Sequence, residues 1–245
     1  MRSYAIGDIH GQLALLHQAH RWIEADRKRC GDPDAPIVHL GDLVDRGPDS
    51  AGVVRYLRGG LQGGAPWVVL KGNHDRLFEK FLTDPNWHDP NLRAEVTYLH
   101  PAIGGAETLM SYGLFRPTSF HIKRARAQVL DAIAPEDIAF LRDLPLHYAH
   151  AGVLHVHAGI RPGVPLSQQA EQDLVWIRDP FLMDTRDHGP LIVHGHTAIH
   201  APMHYRNRVN IDSRAGYGGP LTAIVIENRQ VSVLTESGRV PLSPH

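Results

Sequence analysis

Apolar and polar positions along the first 83 residues follow two alternating patterns. Short apolar runs alternate with longer stretches whose apolar residues recur every three or four positions, at 3–6, 13–25, 37–40, 51–57, 67–70 and 74–82. Runs of the first kind predict buried strands, and stretches of the second kind predict amphipathic helices. Because strands that alternate with helices form parallel sheets covered by helices, this part of the chain predicts an α/β fold.

The pattern changes twice after residue 83. Residues 84–145 begin with turn-forming residues and continue with three helical stretches and no strand between them, at about 104–112, 122–133 and 135–143. We interpret 84–145 as a helical insertion over the edge of the sheet, within a single domain of residues 1–245. Strand-like runs predominate afterwards, at 146–150, 153–157, 191–194, 201–205, 208–212, 221–227 and 230–235. Asn228-Arg229 predicts a tight hairpin, and the whole pattern predicts two β layers flanked by helices.

Composition excludes several classes of protein. Lys and Arg number 25 and Asp and Glu 26, so the net charge of -1 gives no bulk attraction to nucleic acid, and we expect no such partner. The single cysteine, Cys30, excludes an intrachain disulfide and fits a reducing compartment. No apolar run approaches the roughly 20 residues of a membrane span, and no signal-peptide pattern follows Met1. We therefore expect a cytoplasmic protein with no membrane partner.

Polar motifs follow five of the predicted strands. They read Gly7-Asp8-Ile9-His10-Gly11, Gly41-Asp42-Leu43-Val44-Asp45-Arg46-Gly47, Gly72-Asn73-His74-Asp75, His157-Ala158-Gly159 and Gly195-His196-Thr197. Ligands of open α/β sheets bind outside the carboxyl ends of the strands. Five strand ends could therefore deliver oxygen and nitrogen atoms to one point.

These motifs contain the residue types of a metal site. Asp8 and His10 are two apart in an extended segment, so their side chains face the same side. At the other strand ends, Asp42 adds a carboxylate that can bridge two ions, and Asn73 adds a carbonyl oxygen. Two imidazoles come from His157 and His196. Nitrogen and oxygen ligands without thiolate suit Mn, Fe or Zn, and two ions about 3.5–4 Å apart can hold both reacting oxygens of a phosphoryl displacement. Taken singly, each residue also has an ordinary role as a helix cap, a turn residue or a core histidine, and only their combination favours the metal site.

The order of these motifs resembles that of the phosphoprotein phosphatase family of metallophosphoesterases, which are calcineurin-like enzymes. Within that family the sequence is most similar to the bacterial and phage lambda type of serine/threonine protein phosphatase, from Tyr4 to about Ile226. The resemblance implies an α/β/β/α sandwich and two divalent ions, with Mn expected and Fe or Zn compatible. It implies that Asp8, His10 and Asp42 hold one ion. The second ion is then held by Asp42, Asn73, His157 and His196.

The resemblance also implies catalytic roles. His74 is the general acid to the leaving alkoxide, and Asp45 is its carboxylate partner. This is chemically sensible, because an alkoxide leaves poorly unless it is protonated. Arg46 is placed to bind phosphate oxygens with its planar fork, Arg178 is expected to join it, and Asn73 is counted with them as a phosphate contact.

Two residues point to different substrates. Asp75 stands where protein phosphatases of the family usually have Glu and diadenosine tetraphosphate hydrolases usually have Asp, whereas Asp45 is commonly absent from those hydrolases. Asp45 acts in the chemistry, so the sequence favours hydrolysis of phosphoserine or phosphothreonine, on a phosphorylated protein or a small phosphoester, by direct attack of a metal-bridging hydroxide. The alternative is a symmetrical dinucleoside tetraphosphate hydrolase. A more distant alternative is a non-catalytic metal-binding relative, which the retention of Asp45, Arg46 and His74 disfavours.

Two further features concern specificity. A dinucleotide substrate needs aromatic side chains on which its bases can stack, and the sequence offers few candidates, namely Trp87, Tyr98, Tyr112 and Tyr217. The segment Asn210-Ile211-Asp212-Ser213-Arg214-Ala215 resembles a loop of the bacterial relatives but places Arg214 where Gly is usual. The sequence allows the Arg214 side chain either to face solvent or to contact the substrate.

Overall fold

The chain folds into two β sheets packed face to face, with helices on the outside. A computed structural model describes residues 1–118 and 120–245 with their side chains and residue 119 by its backbone. The strands are β1 Arg2–Ile6, β2 Ile37–His39, β3 Trp67–Val69, β4 His147–His150, β5 Val153–Val156, β6 Leu191–His194, β7 Met203–His204, β8 Arg208–Asn210, β9 Ala223–Glu227, β10 Gln230–Thr235 and β11 Gly238–Pro241. The α-helices are α1 Leu13–Cys30, α2 Ser50–Gln62, α3 Asn73–Thr83, α4 Gly105–Ser111, α5 Ile122–Ala132, α6 Pro135–Asp143 and α7 Glu171–Trp176.

Both sheets contain parallel and antiparallel pairs. The first has the order β11-β10-β9-β1-β2-β3, and the second has the order β4-β5-β6-β8-β7. In the first sheet β1, β2 and β3 are parallel, as the alternation with helices predicts, while β9 runs antiparallel to β1. In the second sheet β5, β6 and β8 are parallel. The two-layered β core flanked by helices is therefore confirmed.

Alternate residues of the strands divide the apolar core into layers. Tyr4 and Ile6 of β1 pack with α1 and α2 on the outer face, while Ala5 between them packs on the inner face against the second sheet. This alternation follows from the two-residue period of a strand. On the far side of the second sheet, Leu154 and Ile192 pack with Leu174 of α7 and with the segment that follows it.

Residues 84–145 pack onto helices α2 and α3. Buried side chains of α4, α5 and α6, such as Leu109, Val129 and Leu141, belong to the same apolar cluster as those of α2 and α3. The cluster therefore continues from the first sheet through its helices into this stretch. The division of the chain into a single domain with an insertion at 84–145 stays a prediction.

Several boundaries differ from those that the pattern predicts. Helices α1 and α2 continue to Cys30 and Gln62, beyond the last residue of their predicted stretches. The sequence did not predict α7, which is only six residues long and half polar, or β11, which contains Gly and Pro. The hairpin at Asn228 and Arg229 is confirmed, since both residues have positive φ, at 49° and 69°. No helix in the described chain has the length and apolar character to cross a membrane.

Two histidines behind β2 form a buried hydrogen-bonded pair. His20 of α1 and His39 of β2 face each other with 2.9 Å between their Nε2 atoms. His39 Nδ1 lies 3.1 Å from the carbonyl oxygen of Val68, so it carries a proton and leaves His39 Nε2 to accept from His20. His20 Nδ1 is then free to accept from the hydroxyl of Tyr56 at 3.4 Å. A second proton on His39 would set two N–H groups against each other and break its hydrogen bond with His20.

We expect this pair to make the fold sensitive to acid. Burial lowers the pKa of His39 to about 4, and burial together with the nearby His39 lowers that of His20 to about 2. The unfolded chain takes up these protons below its ordinary pKa of about 6.5, so the free energy of unfolding should fall from about pH 6.5 towards pH 4. The slope is about 1.4 kcal/mol per pH unit for each histidine. Urea unfolding at a series of pH values measures it.

A double variant isolates the contribution of the pair. His20→Leu with His39→Leu should show a shallower loss of stability on acidification than the unaltered protein. The matched control replaces two exposed histidines, His121 and His200, with leucine and should retain the original slope. Equal slopes in all three proteins would contradict the assignment.

Candidate active site

The site lies where the carboxyl ends of strands from both sheets meet. Asp8 follows β1, Asp42 follows β2, Asn73 begins α3 after β3, and His157 and His196 follow β5 and β6. All five side chains are buried. The structure thus brings together the strand ends that the sequence motifs mark.

Asp42 is at the centre of this arrangement. Two groups of side chains could each hold a cation, with ligand atoms within 4.8 Å of one another, and Asp42 belongs to both. One group joins Asp42 to His10 and His74, and the other joins it to His157 and His196. The carboxylate oxygens lie 3.5 Å from His10 Nε2 and 3.4 Å from His157 Nε2. A carboxylate in this position can contact two ions at once.

Hydrogen bonds on the far side of each ring turn an unprotonated nitrogen towards the centre. His10 Nδ1 lies 2.9 Å from the Val44 carbonyl oxygen, and His157 Nδ1 lies 2.9 Å from that of Leu40, so each Nδ1 carries the proton. The remaining lone pair of His157 Nε2 faces Asn73 Oδ1 at 3.0 Å in the amide orientation of this structure. Two acceptor atoms this close repel each other unless a cation lies between them, so the donor set fits a metal ion.

Two further buried atoms are also suited to a cation. Among the described residues, Asp8 Oδ1 and His196 Nε2 have no hydrogen-bond partner. Asp8 Oδ2 accepts from the backbone N–H of His196 at 3.0 Å, which links the ends of β1 and β6. Asp8 belongs to neither of the two groups around Asp42, and His74 stands in the group where Asp8 was expected. The predicted ligand sets therefore stay predictions, although all six side chains meet here.

Burial and charge shift the pKa values of the ligands in directions that a bound cation would use for the imidazoles and relieve for Asp8. Burial lowers the pKa of His10, His157 and His196, so their imidazoles are neutral. Burial raises the pKa of Asp42, whereas the positive charge that the surrounding imidazoles carry when they are protonated lowers it by more, so the net shift is downward. Burial, with the nearby Asp212 and Asp42, raises the pKa of Asp8. Because metal binding requires deprotonated ligands and relieves such carboxylate crowding, these shifts agree with a cation site.

The predicted acid and its partner are assembled. His74 Nδ1 lies 2.7 Å from Asp45 Oδ2. The other oxygen, Asp45 Oδ1, accepts from the hydroxyl of Tyr98 at 2.6 Å and from that of Thr108 at 2.7 Å. Asp45 is therefore held on both oxygens, and the 84–145 stretch supplies two of its three side-chain contacts.

Arg46 spans the two imidazoles at the mouth of the site. Its Nη1 donates to His10 Nε2 at 2.6 Å and its Nη2 donates to His74 Nε2 at 2.9 Å. A metal ion on His10 would require the guanidinium to leave that nitrogen. The same movement would free His74 Nε2.

A cavity of about 420 Å³ opens above these residues. Its walls contain side chains of the site, namely Asp42, Arg46, Asn73, His74, Arg178 and His196. Arg178 is exposed there, and within the described chain its side chain has no hydrogen-bond or ion-pair partner, which suits the predicted phosphate contact. The walls also contain Asp212, Trp176 and Tyr217, to which the sequence assigned no catalytic role.

The backbone around the site is strained. Five of the predicted site residues have positive φ, which is uncommon for residues other than glycine: His10 (45°), Asp42 (48°), Asp45 (72°), Arg46 (69°) and His196 (63°). Such conformations cost about 1–3 kcal/mol each and occur mainly at functional sites. Glycine is required beside the ligands, because a Cβ on Gly195 would lie 1.9 Å from Asp8 Oδ1 and a Cβ on Gly72 would lie 2.2 Å from Asp42 Oδ1.

Asp75, which the sequence connects with a nucleotide substrate, is a buried residue that holds two loops together. It is fully buried, and its oxygens accept from the backbone N–H groups of Leu43 at 2.9 Å and Gly72 at 2.8 Å. These bonds tie the loop after β2 to the loop after β3. Asp75 does not line the cavity, so it supports the position of Asp42 and Asn73 instead of contacting a substrate.

The fold and site define a metal-dependent phosphoesterase, and the comparison with known families agrees. The pattern of the calcineurin-like phosphoesterases matches residues 1–216. The chain belongs to this family, whose members use divalent metal ions. The protein is therefore a hydrolase of the metallophosphoesterase class.

Similar proteins have more specific activities. A bis(5'-nucleosyl)-tetraphosphatase PrpE, asymmetrical, of Anoxybacillus flavithermus is 29% identical over 89% of this chain and 88% of its own length. A symmetrical bis(5'-nucleosyl)-tetraphosphatase of Aromatoleum aromaticum is 32% identical over 66% of this chain and 46% of its own length. The serine/threonine-protein phosphatase 1 of Salmonella typhimurium is 26% identical over 91% of both chains.

A solved structure supports the fold. The crystal structure of a proposed diadenosine tetraphosphatase superposes with a TM-score of 0.64 at 23% identity, over 100% of this chain and 95% of that protein. At this identity the likeness shows the fold alone. The predicted metallophosphoesterase sandwich is confirmed.

Proposed function

We propose that this protein hydrolyses a dinucleoside polyphosphate such as diadenosine tetraphosphate. Two of the similar proteins named above are tetraphosphatases, and one of them matches over nearly the whole of both chains. This reverses the order of the two substrate classes that the sequence favours. One structural observation carries the proposal: an exposed aromatic ring stands on the wall of the catalytic cavity.

That ring belongs to Tyr217, which is 57% exposed and faces the cavity. The other aromatic candidates are elsewhere: Tyr98 and Tyr112 are buried in the core, and Trp87 lines a different cavity. The Arg46 guanidinium carbon lies 4.6 Å from the centre of the Tyr217 ring. A base stacked on an aromatic ring gains about 1–3 kcal/mol, so Tyr217 can hold a nucleoside while Arg46 binds its phosphates.

The proposed mechanism assigns a task to each group of residues. Two divalent ions, with Mn expected, would be held by Asp8, His10, Asp42, Asn73, His157 and His196. When bound, such ions supply an activated water and neutralise phosphate charge. Arg46 and Arg178 grip the oxygens of the reacting phosphate. As Arg46 turns to the phosphate it releases His74 Nε2, which can then carry a proton to the leaving oxygen while Asp45 holds Nδ1.

A second candidate function is hydrolysis of phosphoserine or phosphothreonine. The observation that favours it is the assembled pair of His74 and Asp45. The leaving group of a phosphomonoester is a strongly basic alkoxide that needs a proton, whereas that of a phosphoanhydride is a phosphate that leaves readily without one. A general acid is thus most useful on a phosphomonoester.

Parallel turnover of the two substrates tests the proposal. For the Mn-loaded protein, kcat/KM for diadenosine tetraphosphate should exceed that for phosphoserine and phosphothreonine peptides by at least about tenfold, a difference in transition-state stabilisation of roughly 1.4 kcal/mol. The products show where the chain is cut: two molecules of ADP indicate symmetrical cleavage, and ATP with AMP indicates asymmetrical cleavage. Faster turnover of the phosphopeptides would reject the proposal in favour of the second candidate.

A further inference from the structure

The backbone of Arg214 has a conformation that is unfavourable for residues other than glycine. Its φ is 70°, in the left-handed region, and its carbonyl oxygen accepts from the N–H groups of Tyr217 at 2.8 Å and Gly219 at 2.9 Å. Its own N–H donates to Asp212 Oδ1 at 3.0 Å. Glycine would adopt this turn without strain, so the arginine side chain is retained at a cost in conformational energy.

The side chain of Arg214 lies beside Tyr217, a wall residue of the catalytic cavity, and does not itself line the cavity. Its guanidinium carbon is 5.3 Å from the centre of the Tyr217 ring, which the Arg46 guanidinium also contacts. Arg214 is half-buried, and in the part of the chain described with side chains its guanidinium has no hydrogen-bond or ion-pair partner. The turn that carries it also borders the metal site, because a Cβ on Gly216 would lie 2.6 Å from His10 Cδ2. A guanidinium at this place is available to a ligand.

The arginine side chains at and beside the cavity are numerous enough to bind several linked phosphate groups. Arg46 and Arg178 line the cavity beside the proposed metal ligands and suffice for one phosphate group. A dinucleoside tetraphosphate carries about four negative charges, and the phosphates that are not cleaved must extend away from the metal site. A guanidinium binds phosphate oxygens through two parallel hydrogen bonds, and the planar group stacks on an aromatic ring at the same time.

We infer that Arg214 is a specificity-determining residue that binds the phosphates beyond the scissile bond, beside a base stacked on Tyr217. The inference rests on the proposed function, because a simple phosphomonoester has no such phosphates. Arg214 thus forms a polyphosphate subsite with Tyr217, separate from the residues that perform the chemistry.

The variant Arg214→Gly tests this inference. Removal of a charged hydrogen-bonding partner should raise KM for diadenosine tetraphosphate by about 10- to 100-fold with little change in kcat. Turnover of p-nitrophenyl phosphate, which has a single phosphate, should stay within about threefold. Because glycine suits the left-handed turn, the variant should keep its thermal midpoint, so a loss of affinity is not a loss of fold. Arg214→Lys should recover part of the affinity.

The matched control is Arg229→Gly. Arg229 is another arginine with positive φ, at 69°, and it lies in the β9–β10 turn at the opposite end of the first sheet. This variant removes the same charge from the same backbone conformation and should leave both substrates unaffected. If Arg214→Gly behaves like Arg229→Gly on diadenosine tetraphosphate, the inference is wrong and the proposed function stands.

Inorganic tripolyphosphate separates the inference from the proposed function. If the unaltered protein does not cleave diadenosine tetraphosphate, the proposed function fails, but the subsite can still be tested. For that test, inhibition of p-nitrophenyl phosphate turnover by tripolyphosphate is measured at a fixed free metal concentration. An inhibition constant at least about tenfold weaker in Arg214→Gly than in Arg229→Gly would support the subsite. Equal inhibition of the two variants would overturn it.

Discussion

Asp42→Asn is expected to lower kcat/KM for every phosphoester substrate by at least about 1000-fold, or roughly 4 kcal/mol. Asp42 is the only residue that belongs to both cation-binding groups among the described residues. Its carboxylate oxygens also lie 3.5 Å from His10 Nε2 and 3.4 Å from His157 Nε2, one residue of each group. Asparagine has nearly the same shape and keeps an oxygen to accept from the backbone N–H of His74, but it removes the charge that both ions would share.

Metal content and activity together test this expectation. Elemental analysis of the purified variant should find at least one ion fewer per chain than in the unaltered protein. Asp143→Asn, which alters an exposed carboxylate paired with Arg142, should retain full metal content and activity. Full activity of Asp42→Asn would show that Asp42 does not hold catalytic metal.

The second large effect is expected from His74→Asn and depends on the leaving group. Hydrolysis of an alkyl phosphate should slow by about 10²–10⁴-fold, the usual contribution of a general acid. p-Nitrophenyl phosphate and diadenosine tetraphosphate should lose less, because their leaving groups need little protonation. The comparison of kcat on these three substrates measures the effect.

Asp45→Asn provides the companion measurement. Asp45 touches no substrate in this scheme and acts through His74 Nδ1 at 2.7 Å, so its loss should reproduce the same dependence on leaving group with a smaller amplitude. Equal losses on all three substrates in His74→Asn would instead assign His74 to metal geometry, in keeping with its place in the group that contains His10 and Asp42.

The meeting of the candidate ligands at one place could be inferred from the sequence because each of them stands a few residues after a strand. Strand ends are recognisable from local apolar runs, and parallel strands present their carboxyl ends at one edge, so Asp8 and Asp42 had to approach one another. His157 follows a strand of the second sheet, and only the packing of the two sheets brings it to them. The same logic does not reach side chains that arrive from distant segments. Tyr98 and Thr108 bind Asp45 from 53 and 63 residues away, and no local pattern announces them.

Inference about the substrate depended on single residues and was correspondingly weaker. Asp75 was interpreted as a sign of substrate class, but its buried carboxylate ties two loops together. Of the four aromatic candidates only Tyr217 stands at the catalytic cavity, and only the tertiary structure could separate it from Tyr98 and Tyr112 in the core. The sequence singles out Arg214 as a departure from the loop of the bacterial relatives, and its contact with the Tyr217 ring suggests a reason for it.

Anomalous scattering from crystals grown with Mn²⁺ tests the central claim most directly. The claim is that six buried side chains at the strand ends hold two divalent ions. We predict one anomalous peak in contact with Asp8, His10 and Asp42, and a second in contact with Asp42, Asn73, His157 and His196. Crystals of fully active protein with no peak at Asp42, or with Mn²⁺ bound only elsewhere on the chain, would contradict the claim.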